Sequence, residues 1–206
     1  MALDTTETLP LPTPRLNGPL SVEGALMARR SVREFGTDAV ALNEVAQLLW
    51  AAQGISDSHH LGLRTAPSAG ALYPLEVVLL AGAVSGLAPG VYRYLPHSHA
   101  LRPVADGDRR ASLAKAALGQ AWIAEAACAL VLAAVYRRTT SKYGKRGERY
   151  VHMEVGHVGQ NVYLQARALG LGTTMVGAFR DQEVHTVLRL ETDEAPLAIL
   201  PIGRLR

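Results

Sequence analysis

A long amphipathic segment, about Glu148 to Ala168, constrains the fold more than any other part of this sequence. Its apolar residues recur every three or four positions and therefore lie on one face of an α-helix. They are Val151, Val155, Val158, Val162, Ala166 and Leu169. Gly156 and Gly159 lie beside this stripe, although a glycine costs a helix roughly 1 kcal/mol relative to alanine. We therefore expect another element, most simply another helix, to approach closely at these glycines.

The remaining segments mix helical and strand-like patterns without a regular βαβ repeat. Helices are predicted at about 25–29, with Ser21 as N-cap, and at 42–53, 108–118 and 181–188. Strands are predicted at 77–81, 90–95, 126–135, 173–176 and 197–202, and a polar loop at 137–147. This mixture favours the α+β class.

Length and composition limit the domain organisation. A chain of 206 residues with 49% hydrophobic residues can bury one good core, but it is short for two. Four prolines and few apolar residues within 1–20 predict a flexible or extended N-terminal tail outside the core. We therefore expect residues 21–206 to form a single domain.

Charge and cysteine content exclude several classes of function. The net charge is only +3, aromatic residues make up 5%, and no basic stripe is present, so we expect no nucleic-acid partner. The lone Cys128 lies in an apolar run and is expected to be a small buried hydrophobe, which agrees with a reducing cytoplasm. The longest apolar run, 124–135, is too short for a bilayer, and no secretory signal precedes it. The sequence predicts a cytoplasmic protein without a membrane segment.

The stretch Arg64–Glu76 is the first candidate binding segment, because small residues and two prolines precede an apolar run. Small residues at a turn let backbone N–H groups approach a ligand closely, and Ser68 adds a hydroxyl group. An ordinary helix-to-strand connection uses the same residue types. Both interpretations stay open on these residues alone.

A cluster of arginines at 29–33 is the second candidate. Arg29, Arg30 and Arg33 surround Ser31, and such a charge density repels itself unless an anion neutralises it. Arginine is well suited to bidentate phosphate contacts. The alternative is the solvated basic end of a short helix.

Two further segments are weaker candidates. Lys142 stands beside Tyr143 just before the long helix, where a partly desolvated lysine would accept a proton; a solvated lysine and a packed tyrosine are the alternative. The small-residue stretch 170–179 includes Gly177, which could offer backbone donors to the edge of a planar ligand, although a glycine after a helix is usually a C-cap.

Other kinds of site find no support in the motifs. The chain has no GxGxxG after a strand, no GxxxxGK[ST] and no Gly-x-Ser-x-Gly. His152, Glu154 and His157 lack the HExxH spacing, and the loop histidines at 59–60 and at 97 and 99 are weaker still. We therefore predict no metal site.

Taken together, these segments resemble the flavin-dependent nitroreductase superfamily and, within it, the SagB-type dehydrogenases. The resemblance runs from about Leu26 to Arg204. The arginine cluster is similar to the RRSxRxF opening of the family, and Pro67–Pro74 is similar to the PSAGALYP of the SagB-type branch. Further matches are Tyr143-Gly144, Arg149-Tyr150, Glu154–Asn161, Gly170–Thr173, Val176-Gly177 and Pro201–Arg204.

The resemblance implies a cofactor, FMN, and a set of residues that bind it. Arg29, Arg30, Ser31 and Arg33 would hold its phosphate, ribityl chain and pyrimidine edge. The other implied cofactor-binding residues are Pro67, Ser68, Ala69, Gly70, Leu72, Gln160, Val176, Gly177 and Arg204. Ordinary nitroreductases have PSSxNxQPW at the turn, with an Asn that contacts the flavin, where this chain has Ala71. That departure favours the dehydrogenase branch.

The resemblance also implies a fold and a reaction. The expected fold has a mostly antiparallel central sheet flanked by helices, with the long helix at the interface of a homodimer and FMN between the subunits. Lys142 and Tyr143 match the proposed base of azoline dehydrogenases, which aromatise thiazoline or oxazoline rings in peptides by hydride transfer to FMN. The substrate would be a small molecule or a peptide, and partner modification enzymes are expected. An NAD(P)H-dependent nitro or quinone reductase and a non-catalytic flavin-binding subunit stay open as alternatives.

Overall fold

The computed structural model describes residues 8–57 and 62–206 of the chain. Two of the loop histidines considered above, His59 and His60, lie outside these ranges.

A seven-stranded sheet with the order β1-β6-β5-β3-β7-β9-β8 forms the centre of the protein, and each neighbouring pair is antiparallel. Its strands are β1 (Leu9–Pro10), β3 (Leu75–Ala81), β5 (Gly90–Leu95), β6 (Ala100–Asp106), β7 (Cys128–Ala134), β8 (Leu171–Thr173) and β9 (Ala195–Arg204). Two short strands, β2 (Val40–Ala41) and β4 (Val84–Ser85), pair in parallel beside it.

The helices cover both faces of this sheet. They are α1 (Val22–Ala28), α2 (Leu42–Gln53), α3 (Arg110–Ala116), α4 (Trp122–Glu125), α5 (Arg137–Tyr143), α6 (Arg146–Ala168) and α7 (Asp181–Leu188), and a 3₁₀ turn lies at Ala69–Ala71. The sheet and its helices confirm the predicted α+β class with a mostly antiparallel central sheet.

The core has two layers because side chains alternate across the strands. Leu130 and Leu132 of β7 pack with the apolar faces of α2 and α6, whereas Val131 between them packs with α3 and α7 on the other side. Every residue of β7 is buried. Cys128 belongs to this core, and burial raises the pKa of its thiol to about 12, as expected of a small buried hydrophobe.

The described part of the predicted N-terminal tail is extended and lies against the sheet. Leu9 and Pro10 form β1 on the edge of the sheet, and Leu11 packs against the core. Arg15 is tied to Gln47 of α2 by two hydrogen bonds, in which its N–H donates at 2.8 Å and its carbonyl accepts at 3.0 Å. Prolines are compatible with such a segment because an edge strand leaves N–H positions unpaired.

The predicted polar loop at 137–147 is wrong, because residues 137–143 form helix α5. Only Thr139 of this helix is buried, so the segment has no apolar stripe from which a helix could be predicted. Gly144 ends the helix with a positive φ of 56°, and its N–H donates to the Thr140 carbonyl at 2.8 Å. Lys142 and Tyr143 therefore lie on a helix and not in a loop.

Among the described residues, the close approach expected at Gly156 and Gly159 is found at Gly159, where a side chain rather than a helix makes it. A Cβ at Gly156 would meet no atom within 4 Å, and one at Gly159 would meet only the side chain of Met175. A Cβ at Gly147, at the start of α6, would lie 2.9 Å from the backbone of Thr140 in α5. The glycine that lets two helices pack closely is thus Gly147, and it positions α5.

No helix in the described part of the chain combines the length and the apolar character needed to cross a bilayer.

Two glycine-to-alanine variants of α6 should change stability in opposite directions. Gly147→Ala should destabilise the protein by about 1–3 kcal/mol, because the new methyl group collides with the α5 backbone. Gly156→Ala should stabilise it by up to about 1 kcal/mol, because alanine favours the helix and meets no neighbour. Urea unfolding of the two variants measures the difference. Equal free energies of unfolding would contradict the proposed packing of α5 on α6.

Candidate active site

Helix α6 is the platform on which the candidate segments meet. Near its middle, Glu154 accepts a hydrogen bond from Ser68 in the Pro67–Pro74 turn. Farther along, the Tyr163 hydroxyl lies 3.2 Å from Ser31 Oγ in the arginine cluster. These two positions are nine residues apart, or about 14 Å along the helix axis. One rigid helix therefore positions both predicted binding segments.

The turn itself has an unusual backbone. Gly70, Ala71 and Tyr73 have positive φ values of 65°, 53° and 44°. Glycine adopts such angles freely, whereas alanine and tyrosine do so only when their surroundings hold them there. The Ser68 hydroxyl contributes to this constraint, since it accepts the Tyr73 N–H at 2.9 Å.

A network of hydrogen bonds between buried polar side chains lies against the Pro67–Pro74 turn. Arg64 Nη1 donates to Gln53 Oε1 at 3.0 Å, and Gln53 Nε2 donates to Glu154 Oε1 at 3.1 Å. Glu154 is only 2% exposed. Burial raises the pKa of its carboxyl group, although hydrogen bonds from Ser68 and Gln53 and the charge of Arg64 oppose the shift. Burial likewise lowers the pKa of Arg64. The turn is therefore in contact, through Ser68, with a carboxyl group that is shielded from water.

The Lys142–Tyr143 pair lies directly against this turn. A Cβ at Gly70 would lie 2.8 Å from the Tyr143 hydroxyl oxygen and 3.0 Å from Lys142 Nζ. Lys142 Nζ is 5.5 Å from the centroid of the Tyr143 ring. Tyr150 packs edge-on against the same ring at 5.1 Å between centroids. Two segments predicted separately, the turn and the pair, therefore form one site, and glycine at position 70 provides the space for it.

The arginine cluster runs alongside strand β8. Val32 donates its N–H to the Thr173 carbonyl at 2.9 Å, and Ser31 forms a parallel bridge with the same residue. The Arg29 guanidinium stacks over the Tyr163 ring at 5.4 Å. The segment therefore leaves α1 in an extended conformation.

The other two arginines of the cluster point to the surface. Arg30 donates to the carbonyls of Met27 and Arg29 at 3.0 and 2.7 Å. Arg33 lies over the ring of Trp122 at 5.9 Å. Within the described residues, neither of them nor Arg29 forms an ion pair. This local excess of positive charge is available for an anionic ligand.

The residues present fit an anionic and planar cofactor such as FMN. The unpaired arginines suit its phosphate group. Beside Ser31, the buried Thr173 Oγ1 has no hydrogen-bond partner among the described residues. Gly177 is exposed, and a Cβ there would meet no atom within 4 Å, so its backbone is open to a flat ligand. Val176, the residue before Gly177, is buried and exchanges two backbone hydrogen bonds with Ile199 of β9. These bonds fix the position of the backbone at Gly177.

The remaining predicted residues fall into two groups. Pro67, Ala69 and Leu72 belong to the turn described above, and Gln160 is exposed on α6. Arg204, in contrast, uses its guanidinium for other contacts: Nη1 and Nη2 each donate to the Glu44 carboxylate at 2.7 Å, and Nη2 also donates to a backbone carbonyl. The structure therefore does not bring the Arg204 side chain to the site, and its predicted contact with the cofactor stays a prediction.

Sequence reasoning missed several residues that build this site. Tyr163 links the cluster to β8, because its hydroxyl accepts the Met175 N–H at 2.8 Å and lies 3.4 Å from Thr174 Oγ1. Gln53, Arg64 and Glu154 were not predicted as supports of the turn. Their partners are distant in sequence, 101 residues in the case of Gln53 and Glu154. No local pattern could have revealed these contacts.

Comparison with known proteins places this fold in a family. Residues 26–204 match the nitroreductase family, and the chain belongs to it. The protein MJ1384 of Methanocaldococcus jannaschii, named as a nitroreductase, is 48% identical over 90% of this chain and 91% of its own length. The crystal structure of a Ralstonia eutropha JMP134 protein, also named as a nitroreductase, superposes with a TM-score of 0.84 at 31% identity and covers 100% of this chain and 93% of its own.

Three further relatives come from microcin and trifolitoxin systems. The microcin B17-processing protein McbC of Escherichia coli is 34% identical over 68% of this chain, and the trifolitoxin operon protein TfxC of Rhizobium leguminosarum is 24% identical over 97%. This chain spans only 54% and 59% of the lengths of these two proteins. A chain of the E. coli microcin synthetase McbBCD complex, solved with truncated pro-MccB17 bound, superposes with a TM-score of 0.74 at 28% identity over 95% of this chain and 77% of its own. These relatives support the SagB-type branch that the turn motif predicts.

The raised pKa of Glu154 predicts a pH-dependent effect on stability. Because the folded protein holds this proton more tightly than the unfolded chain does, the Glu154 contribution to stability is lost as the pH rises above the ordinary glutamate value of 4.5. Glu154→Gln should therefore gain stability relative to wild type as the pH rises from 4 to 7. Urea unfolding at several pH values measures this difference, with the exposed Glu148→Gln on the same helix as control. A difference that does not change with pH would contradict the raised pKa.

Proposed function

We propose that this chain is an FMN-dependent oxidoreductase of the SagB-type branch, which removes a hydride and a proton from an organic C–N or C–C bond. The substrate class that we favour is a peptide azoline ring. The observation that carries the proposal is the contact between the Pro67–Pro74 turn and the Lys142–Tyr143 pair at Gly70. The pair that we propose as proton acceptor and the turn that we propose to bind flavin lie next to each other there.

The cofactor and the protein would divide the chemistry between them. FMN, when bound, supplies a two-electron acceptor at N5 for the hydride. Arg29, Arg30 and Arg33 would neutralise its phosphate, and the open backbone at Gly177 would lie against its ring edge. Lys142 or Tyr143 would take the neighbouring proton, so that the substrate loses two electrons and two hydrogens and gains a double bond.

Two features support a dehydrogenase over a general nitroreductase. Ala71 occupies the position of the Asn that contacts the flavin in ordinary nitroreductases, and its positive φ places it at the most constrained part of the turn. McbC is named as a microcin B17-processing protein, and the McbBCD complex is a microcin synthetase that was solved with truncated pro-MccB17 bound. The partner enzymes that we propose for this chain follow the same comparison.

An exposed apolar surface supports the proposed homodimer. Val22, Leu26 and Met27 of α1 are 67%, 52% and 82% exposed, and Met153 of α6 is 52% exposed. Helix α1 packs on α6, the helix that carries the candidate site. Three large exposed apolar residues on one short helix, Val22, Leu26 and Met27, are typical of a protein–protein interface. A second copy of the chain would cover them and complete the site, with FMN between the subunits.

The purified protein should bind FMN and lose activity when the pair is changed. Lys142→Ala and Tyr143→Phe should keep the flavin absorbance but reduce oxidation of a synthetic peptide thiazoline by about 10²–10⁴-fold, the usual contribution of an acid–base group. Lys145→Ala, an exposed lysine next to the pair in sequence, is the control and should keep its activity. Turnover that is unchanged in both variants would refute the base assignment, and a protein that does not take up FMN would refute the proposal as a whole.

The two alternatives predict different behaviour of the same sample. Loss of flavin absorbance on adding NAD(P)H, followed by reduction of a quinone, would favour a nitro or quinone reductase. Bound flavin that no donor reduces would favour a non-catalytic subunit of a modification complex.

The dimer can be tested on α1. Met27→Glu places a charge on the exposed apolar surface and should shift the mass measured by light scattering from twice the 22.0 kDa of the chain to the single chain mass. FMN content should fall together with dimerisation. Leu118→Glu, which changes an exposed leucine after α3, should leave the dimer intact. A wild-type protein of 22.0 kDa would overturn the dimer proposal.

A further inference from the structure

Helix α5 carries two neighbouring arginines that anchor it in different ways. Arg137 pairs with Asp193 at 2.9 Å, and its side chain is 81% exposed. Arg138 is less exposed and contacts two acceptors: Nη1 donates to the Tyr73 carbonyl at 3.0 Å, and Nη2 donates to Glu76 Oε1 at 2.5 Å. Of these two arginines, Arg138 is the one that connects the helix to the Pro67–Pro74 turn.

The acceptor Glu76 is itself held in place by buried charges. Its carboxylate lies 3.4 Å from Arg93 Nη1, and Arg93 forms a bidentate pair with Glu194. The side chains of Arg93 and Glu194 are only 8% and 3% exposed. Ion pairs that are desolvated on both sides are screened by salt far less than pairs on the surface. A rigid line of charges therefore runs from the interior of the sheet to Arg138.

The position of Arg138 on α5 links this anchor to the candidate base. Arg138 and Lys142 are four residues apart, so they lie on the same face of the helix. The carbonyl that Arg138 holds belongs to Tyr73, whose φ of 44° shows a constrained backbone. The same guanidinium therefore fixes the turn that contains Gly70 and the helix whose Lys142 Nζ faces it.

We propose that Arg138 is a positioning residue for the Lys142–Tyr143 pair, with Glu76 as its support. The inference rests on the proposed function of that pair. Two separate acceptors on two different segments require the planar, forked donor set of arginine, which lysine cannot fully replace. Without this link, α5 would still be held by Arg137, by its packing at Gly147 and by the hydrogen bond from the Val135 N–H to the Pro74 carbonyl before it. The end of the helix that carries Lys142 and Tyr143 would then be less tightly held against the turn.

The experiment compares Arg138→Gln with the control Arg137→Gln, which removes the exposed ion pair of the same helix. In FMN-loaded protein we expect Arg138→Gln to lower kcat for the peptide thiazoline by about 10²-fold, since small displacements of a reacting group cost rates of this order. Its KM, flavin content and melting temperature should stay close to those of Arg137→Gln. Arg138→Lys keeps the charge and one set of contacts, and should recover part of the loss.

Hydrogen exchange of the α5 amides provides a measurement that needs no substrate. The Gly144 N–H, which donates to Thr140 at the end of the helix, should exchange several-fold faster in Arg138→Gln than in Arg137→Gln. Equal kcat values in the two glutamine variants would overturn the positioning role. If the wild type does not oxidise the thiazoline at all, the proposed function fails, and hydrogen exchange alone then tests whether Arg138 holds α5 in place. Equal exchange rates in the two glutamine variants overturn that role, and faster exchange in Arg138→Gln supports it.

Discussion

The packing of α6 against the sheet is the constraint on which the rest of this structure depends. Its apolar stripe, from Val151 to Ala166, fills one of the two core layers together with α2 and strands β3, β7 and β9. The polar residues next to that stripe are consequently fixed as well. Glu154 and Tyr163 are held at a set separation. Because Glu154 contacts the Pro67–Pro74 turn and Tyr163 contacts the arginine cluster, the positions of these two segments are set as well. The same stripe that stabilises the fold therefore determines the geometry of the candidate site.

The charges of the molecule fall into two groups with different consequences. Arg93, Arg138 and Arg204 all have carboxylate partners, and burial makes some of these pairs rigid. The arginines at 29–33 have no such partner among the described residues, and they gather at one end of α6. The three arginines at 29–33 are also neighbours in sequence, so their positive charges add at one place on the surface and can attract an anion there. This local concentration of charge supports a phosphate-bearing cofactor more strongly than the total number of arginines does.

Local patterns in the sequence predicted much of the fold and several of the segments that lie together at the candidate site. Helices 42–53 and 181–188 and the strand 90–95 have the predicted bounds, because apolar periodicity and glycine stops are local signals. Strand β6 was missed since Pro103 interrupts its pattern, and α5 was missed because ion pairs and contact with Gly147, rather than an apolar stripe, stabilise it. The turn and the lysine–tyrosine pair could be predicted from their composition and their resemblance to a family. The network of Gln53, Arg64 and Glu154 could not, because it depends on contacts between segments that only the folded chain brings together.

The placement of α5 explains why a helix with almost no buried side chains can carry a reactive group. A short helix of seven residues is unstable by itself, since nucleation costs more than its few hydrogen bonds return. Here three separate contacts replace the missing apolar face: Gly147 lets α6 approach its backbone, Asp193 holds Arg137, and Tyr73 and Glu76 hold Arg138. Only the last of these joins α5 to the turn at Gly70. The first two stabilise the helix as such, whereas Arg138 relates it to the position where a substrate would bind. A lysine on such a helix keeps solvent access for proton exchange and still has a defined distance to the turn. A buried lysine would lack the solvent access, and a lysine on a mobile loop would lack the defined distance.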